Sequence, residues 1–227
     1  MQVTSYHDVP AWNPAIDDNR FRGVIEVRYS ANSGKVWVVN DLPLEDYLKG
    51  IAETSTGDYT EYLKTMSTAA RGYGLWHLNN GGKYGSSEIF TLKNSRNGNG
   101  DDQQYKGYGL ESRFPDLVAA VNATSGQAVT YNGSVAITPY YSNSDGQTRS
   151  ALQAWGIDWP WLQSVLDPDC AGMTMNGHGV GISAYGARAR AGRGDSYQTI
   201  LGYYYTGIAV QPVDTNKNIR IAITPVS

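Results

Sequence analysis

An α+β fold, with a mixed and mostly antiparallel sheet, several helices and long loops, is what this sequence predicts. Three observations carry that expectation. Strand-like and helix-like segments follow one another without the regular strand–helix–strand alternation of a parallel sheet. The pair Asn132-Gly133 separates two β-prone runs, which is the strongest short-range signal for a hairpin. Two stretches, at 44–52 and 59–78, repeat apolar residues at helical spacing.

The elements can be justified in order. Residues 1–19 read as an irregular arm, and 20–227 as a single domain. In "RFRGVIEVRY", 20–29, Phe21, Ile25, Val27 and Tyr29 fall on one face of a strand. "ANSGK" turns the chain into a second strand, "VWVVN", at 36–40. Asp41 then predicts a helix N-cap, Pro43 suits a first turn, and Glu45 and Asp46 favour the positive end of the dipole. Leu44, Tyr47, Leu48, Ile51 and Ala52 form that helix's buried face, and it should stop within "TSTGD", 54–58.

A second helix covers 59–78 with Leu63, Met66, Ala70 and Tyr73 inward, weakened by Gly72 and Gly74. Residues 79–109, rich in Gly and Asn, read as one long loop. A short helix over 115–126 precedes the hairpin "QAVTY-NG-SVAITPYYS". A polar loop at 143–150 and a Trp-rich stretch to 161 lead into "GHGVGISAYGA", 177–187, and a helix over 183–191. The last helix has Ser196 as cap and Gly207 as stop, and 218–223 closes as a strand.

Composition excludes some functions. With 18 Lys plus Arg against 21 Asp plus Glu, the formal charge is −3, which lacks the basic stripe that a nucleic-acid partner requires. No apolar run approaches the roughly 18 residues of a membrane helix. The start, "MQVTSYHDVPAWNP", has neither the basic nor the apolar region of a signal peptide, so the chain is expected to be cytoplasmic or to have lost its export segment. One cysteine, Cys170, excludes an internal disulfide. Seventeen Tyr and six Trp against three Phe favour half-wet surfaces and stacking on sugar rings, although a Tyr-rich core would read the same way.

The glycine-rich segment imitates two motifs. Gly179-x-Gly181-x-x-Ala184 resembles a dinucleotide fingerprint but follows a poor strand, "CAGMTMN". Gly181-Ile182-Ser183-Ala184-Tyr185 misses the last glycine of a nucleophile elbow. A serine hydrolase using Ser183 and His178 would still lack a third member. Glu53 is the better chemical candidate. It falls at the end of the first predicted helix, where the dipole's negative end and burial both raise a carboxyl pKa toward the range a general acid needs. The plain alternative is an ordinary surface glutamate.

"LPLEDYLKGIAE" followed by "YLKTMSTAARGYGL" resembles the opening of the stage II sporulation protein D family, also called the amidase-enhancer (LytB-like) family. "QQYKGY" (103–108), "ATSGQAVTYNG", "YYSNSDGQT" (140–148), "GHGVGISAYGA" and "SYQTILGYYYTG" follow in the family's order, so the likeness runs from Leu42 to Gly207. The resemblance implies a peptidoglycan lytic transglycosylase (a lyase) acting on glycan strands whose stem peptides have been removed. Glu53, from the family's Ala-Glu pair, would be its catalytic acid/base. An ordinary glycosidase needs two carboxylates. A lytic transglycosylase closes the muramic sugar's own hydroxyl onto its anomeric carbon, so one carboxyl can serve both proton transfers.

The same likeness implies substrate contacts from Tyr140, Tyr141, Ser142, Ser144, Thr148, His178, Gly179, Tyr185 and Gln104, with the glycines letting backbone approach the sugar. Arg71 reads as scaffold. The sequence departs from the family's pattern where Met-Pro after the glutamate becomes Thr54-Ser55, Ala-Arg-Thr-Tyr becomes Ala70-Arg71-Gly72-Tyr73, and Ser-Gln-Tyr-Gly becomes Ser183-Ala184-Tyr185-Gly186. Some relatives hold zinc with cysteines. With Cys170 alone and His7, His77 and His178 far apart, no metal and no cofactor is expected here. Implied partners are peptidoglycan glycan strands, with a cell-wall amidase or a membrane-anchored protein under the alternative of a non-catalytic wall-binding enhancer. The implied location is extracellular or in the cell envelope.

Overall fold

A computed structural model describes residues 1–4, 6–10, 13–95 and 102–225. In chain order its first elements are β1 (Val24–Ser30), β2 (Lys35–Pro43), α1 (Leu44–Leu48), α2 (Thr60–Asn79), β3 (Leu92–Lys93) and α3 (Tyr108–Arg113). Next come α4 (Pro115–Ala123), β4 (Gln127–Tyr131), β5 (Ser134–Val135), β6 (Tyr140–Tyr141) and α5 (Ala151–Trp155). The chain ends with β7 (Ile182–Ser183), α6 (Ala184–Gly192), α7 (Tyr197–Tyr204), β8 (Ala209–Pro212) and β9 (Asn218–Pro225). The class is α+β, and the longer strand pairings are antiparallel, with short parallel pairs at β3–β9 and β6–β7.

The chain divides into two compact units interleaved in sequence, where one domain was expected over 20–227. The first comprises Met1–Thr56, Gly74–Asn122 and Asp214–Ser227, and the second Gly57–Tyr73 and Ala123–Val213.

The first unit is built on a four-stranded sheet in the order β1-β2-β9-β3. Leu42, Leu44, Tyr47, Leu48, Leu92, Ile219 and Ile221 are all buried in it. The predicted apolar face of the first strand is corrected. Phe21 is buried, but Val27 and Tyr29 are 65% and 63% exposed on the edge strand β1. Gly23, at a φ of 68°, separates Phe21 from β1, and a Cβ there would lie 2.2 Å from the Asp41 carbonyl oxygen; beyond it β1 has β2 on one side only.

The predicted first helix is also corrected. Asp41 lies in β2, where its carboxylate accepts from Arg220 and Asn218, and α1 ends at Leu48. The chain then pairs with 103–106. Ala52 N–H donates to the Gln104 carbonyl at 2.8 Å, and Lys106 N–H to the Gly50 carbonyl at 2.8 Å. Gly50 permits this, because a Cβ there would meet the Tyr105 ring at 2.5 Å. The expected loop over 79–109 therefore contains β3 and this paired segment; its residues 96–101 lie outside the described ones. Helix α3 had no clear sequence signal.

Helix α2 agrees with the predicted span to within one residue at each end and is buried along most of its length. In the second unit, Gly72 on α2 stands where a Cβ would approach Thr138 Oγ1 to 2.4 Å, and that hydroxyl donates to the Ala69 carbonyl at 2.7 Å. Arg71 is fully buried and donates to Thr124 Oγ1 and the Gln127 carbonyl, both at 3.3 Å, in keeping with a scaffold role.

The hairpin forms as β4–β5 with Asn132 at φ 49° and Gly133 at φ 78°, the two positive values a type I′ turn requires. It is short, and β8 takes the other side of β4. Ser183 and Ser196 cap α6 and α7 through their hydroxyls, which accept from the Gly186 and Thr199 N–H groups.

Candidate functional site

In the first unit, Glu53 sits in the bend after the Ile51–Tyr105 bridge, five residues beyond the end of α1. The helix-dipole part of the expectation therefore falls. The pKa of Glu53 is nonetheless raised, because burial penalises the carboxylate, and a hydrogen bond from the Gln104 backbone N–H opposes the shift only in part. That N–H donates to Oε1 at 2.7 Å, so one carboxyl oxygen is held by the same short ladder that ended the helix. Gln104, expected as a substrate contact, thus supports Glu53 through its main chain. The following residue, Thr54, buries a hydroxyl with no hydrogen-bond partner among the described residues.

The remaining predicted residues lie in the second unit. β6 and β7 run parallel and bring Tyr140 and Tyr141 beside Ile182 and Ser183. His178 is exposed and clamped by backbone at both nitrogens. Val180 N–H donates to Nδ1 at 3.1 Å, so the proton belongs on Nε2, which lies 3.1 Å from the Tyr140 carbonyl oxygen. Its ring is 5.4 Å from that of Tyr141 and 5.1 Å from that of Trp155. Tyr141 is 6% exposed, and its hydroxyl has no partner among the described residues; desolvation pushes its pKa well above the usual tyrosine value, so it remains a donor. Ser142 and Tyr185 are exposed and joined through the backbone, Tyr185 N–H donating to the Ser142 carbonyl at 3.0 Å.

Two of the expected contacts are committed inside the fold. Ser144 is fully buried, donates to Asp167 Oδ2 at 2.8 Å and accepts from Gly146 N–H. Thr148 is fully buried, and its hydroxyl accepts from Val165 N–H at 2.9 Å. Both shape the loop rather than present hydroxyls to a ligand.

The glycines of 177–186 are corrected in the same sense. A Cβ at Gly177 would meet Tyr141 Cβ at 2.6 Å, at Gly181 the Pro139 carbonyl oxygen at 2.1 Å, and at Gly186 Asp167 Oδ1 at 2.1 Å. Gly179 is buried at φ 82° against Met175 and Arg149. These positions lack side chains so that the protein can approach itself, and a role for Gly179 in approaching ligand is not supported. The serine-hydrolase reading fails as well. Ser183 is buried, its oxygen accepts from Gly186 N–H and faces Cys170 Sγ at 3.4 Å, and His178 points elsewhere. No dinucleotide turn is present, since β7 follows the glycines instead of leading into them.

The residues so placed are Glu53 and Gln104 in the first unit, and Tyr140, Tyr141, Ser142, His178 and Tyr185 in the second. Sequence reasoning missed the Ile51–Tyr105 pairing, for which the polar run "QQYKG" offers no periodic signal, and missed Trp155 as a neighbour of His178.

Comparison with known proteins adds likenesses over part of the chain. Residues 32–131 match the model of the family described as Stage II sporulation protein (SpoIID). An uncharacterized protein of Brachyspira hyodysenteriae is 33% identical over 136 residues, 59% of this chain and 34% of that protein. Stage II sporulation protein D of Bacillus subtilis is 26% identical over 140 residues, 57% of this chain and 40% of that protein. The Amidase enhancer of the same organism is 64% identical over 31 residues, 14% of this chain and 4% of that protein. The chain thus spans well under half the length of each of these relatives.

Proposed function

We propose, from the premise that this chain carries a Stage II sporulation protein (SpoIID) domain over residues 32–131, that it is a peptidoglycan lytic transglycosylase working in the cell envelope. The observation that carries this reading is Glu53: a desolvated carboxyl with a raised pKa, one oxygen fixed by the Gln104 N–H and no cation among the causes of its shift. Such a group is protonated further toward neutrality than a free glutamate and can act as a general acid.

The proton transfers balance on that one group. The Glu53 carboxyl protonates the glycosidic oxygen as its bond to the muramic anomeric carbon breaks. The resulting carboxylate then takes the proton of the same sugar's 6-hydroxyl, whose oxygen closes onto the anomeric carbon. The products are an anhydro-muramic end and a free 4-hydroxyl, the carboxyl is regenerated, and no water is consumed. In the second unit, Tyr140, Ser142, His178 and Tyr185 are read as glycan contacts, while the Tyr141 hydroxyl is enclosed and its ring backs that of His178.

A second reading is favoured by one observation, the 64% identity over 31 residues to the Amidase enhancer. The chain would then bind wall glycan without cutting it and stimulate a separate amidase. Mass spectrometry of peptide-free glycan strands after digestion separates the two. Anhydro-muramic ends support the transglycosylase. Intact strands retained on the protein support the enhancer. Reducing ends would mean a hydrolase with a second carboxylate.

A further inference from the structure

Beside the residues already discussed, the second unit carries a run of rings that the chemistry does not use. From His178 it passes to Trp155 at 5.1 Å between centroids, to Trp159 at 6.3 Å and to Trp161 at 6.0 Å. The first indole pair meets edge to face at 83°, and the second is near parallel at 27°.

These rings are not all core. Helix α5 has five residues, of which Ala151 alone is buried, while Leu152 and Trp155 are 58% and 40% exposed. So short a helix does not sustain itself in water. Its ends hold it. Ser150 Oγ accepts from Gln153 N–H, the Gln153 side chain accepts from Ser150 N–H, and Gly156 closes the other end at φ 71°. The caps therefore fix an indole in water, in one orientation, beside His178. Orienting an exposed aromatic in this way gains little for the fold, and an exposed apolar patch rimmed by polar groups marks a binding surface.

The polar groups are present. Gln153 of the same helix also lines an open hollow of about 450 Å³ with Asp145, Gln147, Arg149 and Ser164. Within it Arg149 and Asp145 neutralise one another at 2.8 Å. The hollow is net neutral and is tied to the residue after His178, because Arg149 N–H donates to the Gly179 carbonyl at 2.7 Å. Exposed indoles and such a hydrogen-bonding hollow on either side of His178 suit a pyranose chain, whose C–H faces stack on rings while its hydroxyl and acetamido groups reach amides. An amphipathic helix would need a continuous apolar groove instead.

We infer that Trp155 and Trp159 extend the glycan-holding surface beyond Tyr140 and His178, so that the protein grips long strands better than short ones. This rests on the reading of the second unit as a glycan binder.

The test compares wild type, Trp155→Ala and Trp155→Tyr, with peptide-free glycan strands and N,N′-diacetylchitobiose as the two probes. Strands should quench or blue-shift the wild-type tryptophan emission. Trp155→Ala should weaken strand binding about tenfold, the worth of one stacked ring, and weaken the disaccharide less. Trp155→Tyr should keep most of the affinity, and both variants should melt with the wild type. Strand binding by Trp155→Ala equal to wild type overturns the inference while leaving the proposed function standing. A wild type that neither binds nor cuts strands overturns both.

Discussion

Replacing Glu53 by Gln separates the chemistry from the architecture. The amide has the same reach, and its oxygen can still accept the Gln104 N–H that Oε1 accepts at 2.7 Å. What it loses is the proton. General acid–base catalysis contributes on the order of 10²–10⁴ in rate, and at 1.36 kcal/mol per tenfold that is about 2.7–5.5 kcal/mol of barrier. Formation of anhydro ends from peptide-free strands, counted by liquid chromatography and mass spectrometry, should fall by at least the lower figure. The wild-type rate should also decline as pH rises through the raised pKa of Glu53, because the acid form must be present to protonate the leaving oxygen.

Stability gives an independent sign. A carboxyl whose folded pKa lies above its unfolded value, about 4.3, contributes stability that is fully present below that unfolded value and is lost as pH rises through the folded one. Glu53→Gln should therefore melt with the wild type near pH 4 and above it near pH 8. Glu53→Ala differs, since it leaves the half-buried Gln104 N–H without an acceptor at a cost of about 1–3 kcal/mol. A Gln variant that cuts within tenfold of wild type refutes the role of Glu53. One whose melting difference does not change with pH refutes the desolvation on which the role rests.

Three further outcomes follow from the second unit. Gly181→Ala should destabilise by on the order of 3 kcal/mol by chemical denaturation, since it combines a φ of 77° with a Cβ only 2.1 Å from a backbone oxygen that cannot yield. Ser150→Ala removes half of the α5 capping box and should cost about 1 kcal/mol, with increased solvent quenching of tryptophan emission as Trp155 loses its fixed setting. Arg71→Met should cost about 3 kcal/mol or more in urea unfolding, because it strips a buried donor from Thr124 and the Gln127 carbonyl.

How far the sequence was readable depended on the range of the interaction that decided each feature. Helix α2, the Asn132-Gly133 hairpin and the Ser196 cap rest on contacts within a few residues, and each was legible, whereas Ser183, expected inside its helix, proves to be the cap. Helix α1 was misread because Leu44, Tyr47, Leu48, Ile51 and Ala52 do keep helical spacing. What stops the helix is pairing of 50–52 with 103–106, a partner that local periodicity does not reveal. The environment of Glu53 shared that fate. The resemblance singled the residue out, but the backbone N–H that fixes its carboxyl comes from the distant Gln104, which no local pattern reveals.

The hydroxyls of Ser144 and Thr148 and the glycines of 177–186 failed for a related reason. Residue type announces a hydrogen-bonding group or a missing side chain without saying whether a ligand or the protein fills the place opposite. Gly72 shows the rule from the other side. As a sequence feature it was a departure from the family and a weak spot in a helix. In the fold it stands against Thr138, whose hydroxyl reaches past it to the Ala69 carbonyl, so glycine and threonine are complementary halves of one close contact. With a side chain on residue 72, that hydroxyl could not make the same bond without moving. The helix's apparent weakness is thus a condition of its attachment to the segment that leads into Tyr140 and Tyr141.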